Sequence, residues 1–284
     1  MRSHSLAQAA ILLASSGPLR AAAAPETGVL EIDLVFPRNE TYAPTDQLPI
    51  IFAFRNAPLA QYLDFDRIHL DLVGDKIPAS NNKYTLSHHH VDIRVVNWTT
   101  TPATYYAYTY LNNFTSPRDF NLAWYFDLGH CHLPNFTFAD VPQISRRGEI
   151  DIRIAANGGR SASDLVAATA DASTCNRGAS NRAVAFNITS TIPVPEWARG
   201  PTWNSGDTCG VVDPEEEVVA EPCKVGIDEA AAASMAAERR CHMANDTEAC
   251  SAGSIVGSPV GLGAAVTGWW CVAAVLGAAG FLMG

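Results

Sequence analysis

No charged residue follows Glu248, and no two cysteines stand at the CxxC spacing of a zinc or redox site. The chain also lacks a G-x-S-x-G nucleophile elbow, an H-E-x-x-H pair and a P-loop, so it offers none of the compact signatures of serine hydrolases, zincins or nucleotide-binding enzymes. Basic side chains are scarce, with 19 Lys plus Arg against 29 Asp plus Glu. That balance argues against nucleic acid or anionic lipid as a partner, because both demand a basic patch.

The missing charge at the end of the chain gives the last segment its meaning. Leu262 to Met283 is apolar and closes on Gly284. A stretch of this length can span a bilayer, yet a permanent span normally carries Lys or Arg on its cytoplasmic side. Small residues from Ser251 to Ser254, a short spacer through Pro259 and then the apolar tail follow the order of a glycosylphosphatidylinositol attachment signal, with Ser251 the expected attachment residue and 251–284 removed. The rival is a tail-anchored helix. At the other end, Arg2, the apolar run Leu6 to Ala14, the Gly17-Pro18 break and the small residues Ala21 to Ala24 read as a secretory signal peptide over 1–24. The formal charge of −10 includes Arg2 and Arg20, so processing makes the remaining chain more acidic. The expected address is extracellular, on the cell surface.

Of the seven cysteines, Cys271 falls in the discarded tail. The other six, Cys131, Cys175, Cys209, Cys223, Cys241 and Cys250, read as three disulfides with fifteen connectivities open to them. Crowding of four in the C-terminal part favours Cys131–Cys175, Cys223–Cys241 and Cys209–Cys250. Sequons begin at Asn39, Asn97, Asn113, Asn135, Asn187 and Asn245, more than chance supplies, and suit the same compartment.

From Val29 the hydrophobic pattern has period two. Leu30, Ile32, Leu34 and Phe36 oppose Glu31 and Asp33; Leu48 to Arg55 is apolar on nearly both faces, as in a strand covered on both sides. Ile68, Leu70 and Leu72, then Val91, Ile93 and Val95, then Ile150, Ile152 and Ile154 alternate cleanly with polar residues. Tyr105 to Leu111, Asn121 to Leu128 and Ala183 to Thr189 complete about eight strands. With one short helical candidate, Ala162 to Ala170, this predicts an all-β, antiparallel two-sheet immunoglobulin-like sandwich over 25–195, with Trp124 its central aromatic. Residues 196–250 form a cysteine-rich, acidic and alanine-rich appendage with a helix between Asp228 and Arg240, expected to dock on the sandwich.

The opening Phe36-Pro37-Arg38-Asn39-Glu40-Thr41-Tyr42-Ala43-Pro44, then Leu48-Pro49-Ile50-Ile51-Phe52-Ala53-Phe54-Arg55-Asn56-Ala57, resembles that of a family of secreted fungal proteins defined by a domain of unknown function. Pro222-Cys223, the alanine-rich stretch to Cys241 and the anchor-type tail are similar to that family's ending. The resemblance implies fungal origin, secretion and surface anchoring, and carries over no catalytic or binding residue.

Candidate chemistry is sparse. His88-His89-His90 leads into a strand; if the strand already begins there, His88 and His90 share a face, and His69, His130 or His132 would be a third ligand for zinc or copper. A solvated turn is the simpler expectation, so no metal, cofactor or catalytic residue is assigned. Asp64, Asp66, Asp71 and Asp75 are candidate acids of a glycosidase, but read more simply as the wet side of a strand. Tyr106, Tyr108 and Tyr110 fall on one side of another strand. They are the candidate ligand face if exposed, and core cover if not. The expected function is a non-enzymatic binding or structural module of membrane or cell wall, held to the membrane by its lipid and meeting wall polysaccharide or another surface protein. The alternative is a carbohydrate-active wall enzyme.

Overall fold

The computed structural model describes residues 26–64, 66–74, 85–131, 143–157, 159–175, 182–194, 208–212 and 218–244. The signal peptide, the anchor signal with Ser251, and Asp75, His132, Asn135, Asn245 and Cys250 lie outside them, as does the side chain of Cys241. Among the described residues no helix is long and apolar enough to cross a membrane.

Among the described residues ten strands form two five-stranded sheets. They are β1 Gly28–Phe36, β2 Thr41–Tyr42, β3 Thr45–Arg55, β4 Arg67–Gly74, β5 Thr85–Asp92, β6 Thr104–Phe114, β7 Arg118–Gly129, β8 Gln143–Ile154, β9 Ala183–Pro193 and β10 Thr208–Val212. Sheet I runs β10-β9-β1-β3-β6 and sheet II runs β2-β8-β7-β4-β5. Every pairing is antiparallel except the short β2–β8 contact. The architecture is the all-β sandwich that the period-two pattern predicts.

Between the sheets, Leu30, Ile32, Phe52 and Phe54 from sheet I meet Leu70, Leu122, Trp124 and Ile152 from sheet II, all nearly inaccessible. Trp124 does occupy the centre, edge-on to Phe52 at 5.7 Å and stacked with Phe126 at 6.0 Å. Deleting one such ring costs about 3–5 kcal/mol in typical cores.

Sheet I is also covered on its outer side. Residues 218–228 and the helix α3, Glu229–Ala244, cross it as a strap. Alanine supplies the helix propensity, and Asp228 caps the start, its Oδ1 accepting from the amide of Ala231 at 2.7 Å. Ile227, Ala231 and Met235 are buried beneath. Two shorter helices, α1 Leu165–Ala170 and α2 Ala172–Cys175, fill the corner beside the strap. Asp164 caps α1 by accepting from Ala167 N, and Thr169 Oγ1 accepts from Ile227 N at 2.8 Å. The buried Arg38 holds this corner to the sandwich through the carbonyls of Thr169 and Asp171 and the hydroxyl of Thr174.

Three expectations are corrected. The disulfides described are Cys131–Cys209 and Cys175–Cys223, so the pairs Cys131–Cys175, Cys223–Cys241 and Cys209–Cys250 do not form. The cause is β10: this stretch, expected in the appendage, returns to the edge of sheet I, where the amide of Cys131 donates to Gly210 O at 2.8 Å. Cys175 is thereby left for the strap. The strand expected over Val91 to Val95 lies instead at Thr85–Asp92 and includes all three histidines. Asp92 ends it by accepting from the Arg94 amide and guanidinium, which turns the chain and leaves Val95 81% exposed. Glu31 and Asp33, finally, do not face water.

Glu31, Asp33 and Arg55 meet under the strap. Arg55 pairs with both carboxylates and donates to Glu221 O at 2.9 Å, while Glu221 N donates to Glu31 at 2.9 Å. One guanidinium serves two buried acids, so burial and the neighbouring Glu31 push Asp33 up to about 8. Because the folded state holds a proton that an unfolded Asp releases near 3.8, stability falls as pH rises between those values. Asp64, pushed up to about 6 by burial and then by Asp66, acts the same way lower in that window. The melting temperature is expected to drop by several degrees from about pH 5 to about pH 8, and Asp33→Asn to remove most of that slope. Parallel slopes for both proteins by calorimetry would refute the assignment.

Candidate functional site

The register of sheet II builds its outer side row by row. One row reads His90–His69–Tyr125–Arg147, the next His88–Asp71–Ala123–Glu149. Alternation in β4, β7 and β8 drives this: their apolar residues turn inward, so their polar partners, Arg146 apart, face out. Tyr125 is 38% exposed and stacks on His69, centroids 4.8 Å apart and planes within 10°. Beside it a groove of about 400 Å³ is lined by Asp71, Tyr125, Asp127, Ser145 and Arg147 among others. Ser145 donates to Asp127 at 2.5 Å, and the guanidinium of Arg146 lies 5.7 Å from the ring centre of Phe186.

A second groove of about 470 Å³ lies toward β2, lined by Asn39, Glu40, Asp119, Asn121, Asp151 and Arg153 among others. Its acids are engaged. Arg153 donates to both oxygens of Asp119, at 2.6 and 2.8 Å, and holds that carboxyl below its ordinary value; Asn121 donates to Asp151 at 3.0 Å. The sequon residue Asn39 stands on the rim, so a glycan there would occupy this groove.

The tyrosine row does share one side of β6, but the strap covers it. Tyr106 is 4% exposed and donates to Gly226 O at 2.8 Å; Tyr108 donates to Glu238, and Tyr110 to Met235 O at 3.4 Å. Arg239 sits over the Tyr110 ring at 5.3 Å and donates to Gln47. Burial pushes the hydroxyl of Tyr106 up to about 12 and raises those of Tyr108 and Tyr110. Tyr106, Tyr108 and Tyr110 are thus the floor of an internal interface, and the exposed aromatic that pattern reading passed over is Tyr125. Its signal in the sequence was faint: one ring opposite His69, visible only once the register is known.

The other candidates are placed as follows. Asp64 pairs through its backbone with Gly129, Asp66 contacts Arg67, and Asp71 contacts His88, so these acids do not converge. His130 is buried, its Nδ1 2.9 Å from the carbonyl of Cys131. Among the described residues no three His, Cys, Asp or Glu side chains converge as they stand on a point that a metal could occupy. The sequon residues Asn97 and Asn113 are exposed, and Asn39 and Asn187 half-buried.

These features define an all-β sandwich with disulfides, one sheet sealed by a C-terminal strap and one left open. The chain belongs to the family described as Domain of unknown function (DUF7136), which it matches over residues 25–252. No curated protein matches it. Among solved structures, the ASH/PapD-like domain 7 of human CEP192 is similar at a TM-score of 0.21 and 6% identity, over 55% of this chain and 100% of that one. So remote a likeness adds nothing to the strand order itself.

Nitration by tetranitromethane, mapped by peptide mass spectrometry, is expected to label Tyr125 and spare Tyr106 in the folded protein. Reducing Cys175–Cys223 should raise labelling at Tyr106 by loosening the strap. Equal labelling of both tyrosines in the oxidised protein would mean that the strap is not seated.

Proposed function

We propose that this protein is a secreted, lipid-anchored surface module of a fungal cell that works by binding, and that its ligand is a neutral wall polysaccharide held in the Tyr125 groove. The observation that carries the reading is the asymmetry of the two sheets. Sheet I has its outer side occupied by the protein's own strap, whereas sheet II presents an exposed ring among polar side chains. Planar carboxylate and guanidinium groups beside an aromatic edge suit vicinal hydroxyls, and a groove of about 400 Å³ has room for a short stretch of sugars.

The carbohydrate-active enzyme is the weaker alternative. Glycoside hydrolysis needs two carboxyls flanking a bond, one of them a raised acid. The acids lining both grooves are instead tied to Arg153, Asn121, Ser145, His88 or, for Glu40, Arg160, and the raised ones, Asp33 and Asp64, line neither groove.

Two outcomes are expected. Insoluble chitin or β-glucan should deplete the secreted protein from solution without release of soluble sugar, and Tyr125→Ala or Arg147→Ala should cut retention about tenfold. Release of sugar would favour the enzyme, and no depletion would favour a protein partner. A phosphatidylinositol-specific phospholipase should free the protein from intact cells, in a form lacking Trp269 and Trp270 by mass spectrometry. Retention of those tryptophans would instead indicate the tail-anchored helix.

A further inference from the structure

The run His88-His89-His90 is the one sequence motif that the Tyr125 groove leaves unused. It lies in β5, the edge strand of sheet II, in a register that sets His90 opposite His69 and His88 opposite Asp71. Residues two apart on a strand share a side, so these four occupy the corners of one rectangle. In ordinary antiparallel geometry its sides are about 5 Å across the strands and about 7 Å along them. Zinc binds imidazole nitrogen at about 2.0–2.1 Å in a tetrahedron, and side chains leaning inward from such corners span that figure.

Two contacts prepare the corners. His88 Nδ1 lies 2.7 Å from Asp71 Oδ1, the carboxylate–imidazole arrangement that fixes a tautomer and leaves Nε2 as the free donor. His69 is flanked by Tyr125 from the β7 side, which limits how its ring turns. His88, with its side chain 75% exposed, and His90, also exposed, stand at the sheet edge. As exposed side chains on an edge strand, they have other staggered positions open to them on the same backbone.

We propose that His69, His88 and His90 bind one zinc-class divalent ion on the outer side of sheet II, with Asp71 as the positioning residue of His88. The site goes beyond the polysaccharide reading and stands or falls without it, since its probe is the metal alone. The ligands must be neutral imidazoles, so protons compete with the metal for them.

The test is calorimetric titration of the purified secreted protein with zinc chloride at about pH 7.5, repeated at about pH 5.5, with calcium as the control ion. One zinc per chain is expected at micromolar affinity, weakened at least tenfold by His90→Ala or His69→Ala and about 10–100-fold by Asp71→Asn. Asn121→Ala, on the same side but in the next row beyond Asp71, should bind as the parent does. A second readout in the unmutated protein is protection of His69, His88 and His90 from diethylpyrocarbonate by zinc, mapped by mass spectrometry. Absence of heat together with absence of protection at about 100 μM zinc would overturn the proposal. So would zinc binding that His69→Ala and His90→Ala both leave unchanged.

Discussion

Burial of the outer side of sheet I under the C-terminal strap is the constraint on which the rest of the structure depends. A sandwich of two sheets has two outer sides, and water can satisfy both. Here one of them carries Ile51, Ala53 and Tyr106 in adjoining rows of β3 and β6, all buried, with Tyr108 and Tyr110 half-covered. These residues need a lid, and an alanine-rich helix is a thin one: it buries little area of its own and leans on the tyrosine hydroxyls and on Arg239 for specific contacts. The Cys175–Cys223 bridge then fixes the start of the strap beside α2. Constraining a lid this slight lowers the entropy of the states in which it is off.

The same lid explains the buried acids. Glu31 and Asp33 have the alternation of a solvent-facing strand side, and only the strap makes them interior. Taking charges out of water is costly unless they are paired and hydrogen-bonded. Arg55 and the backbone of Glu221 supply much of that pairing, and burial beside Glu31 pushes the Asp33 carboxyl toward its neutral form. The strap and the acid cluster are thus mutually dependent.

What the sequence made legible follows from this geometry. Interior faces were readable because period-two alternation reports contact between the sheets directly: Leu30, Ile32, Trp124 and Ile152 all fall where the pattern puts them. The apolar character of Leu48 to Arg55 on both sides correctly signalled a doubly covered strand. Long-range closure was not readable. Nothing local indicates that Thr208–Val212 returns to the sheet edge, so the cysteine pairing derived from proximity in sequence failed. The tyrosine row failed for a related reason: periodicity places Tyr106, Tyr108 and Tyr110 on one side of β6 but does not say what lies over that side. The histidines illustrate the converse, because moving the strand from Val91–Val95 back to Thr85–Asp92 changes a turn into an ordered ladder.

Part of the charge on the open sheet is arranged in short opposite pairs. Arg67 faces Asp92 across the β4–β5 ladder, and Arg153 clasps Asp119. Pairs of this kind cancel within a few ångströms and are screened beyond about 8–10 Å at ordinary salt. A polyanion would therefore gain little from approaching this side. An uncharged polyol loses nothing by that cancellation, since it is recognised through hydrogen bonds and ring contacts made at touching distance. An exposed Tyr125 with a groove beside it, among charges paired at close range, is thus compatible with the polyol ligand proposed above.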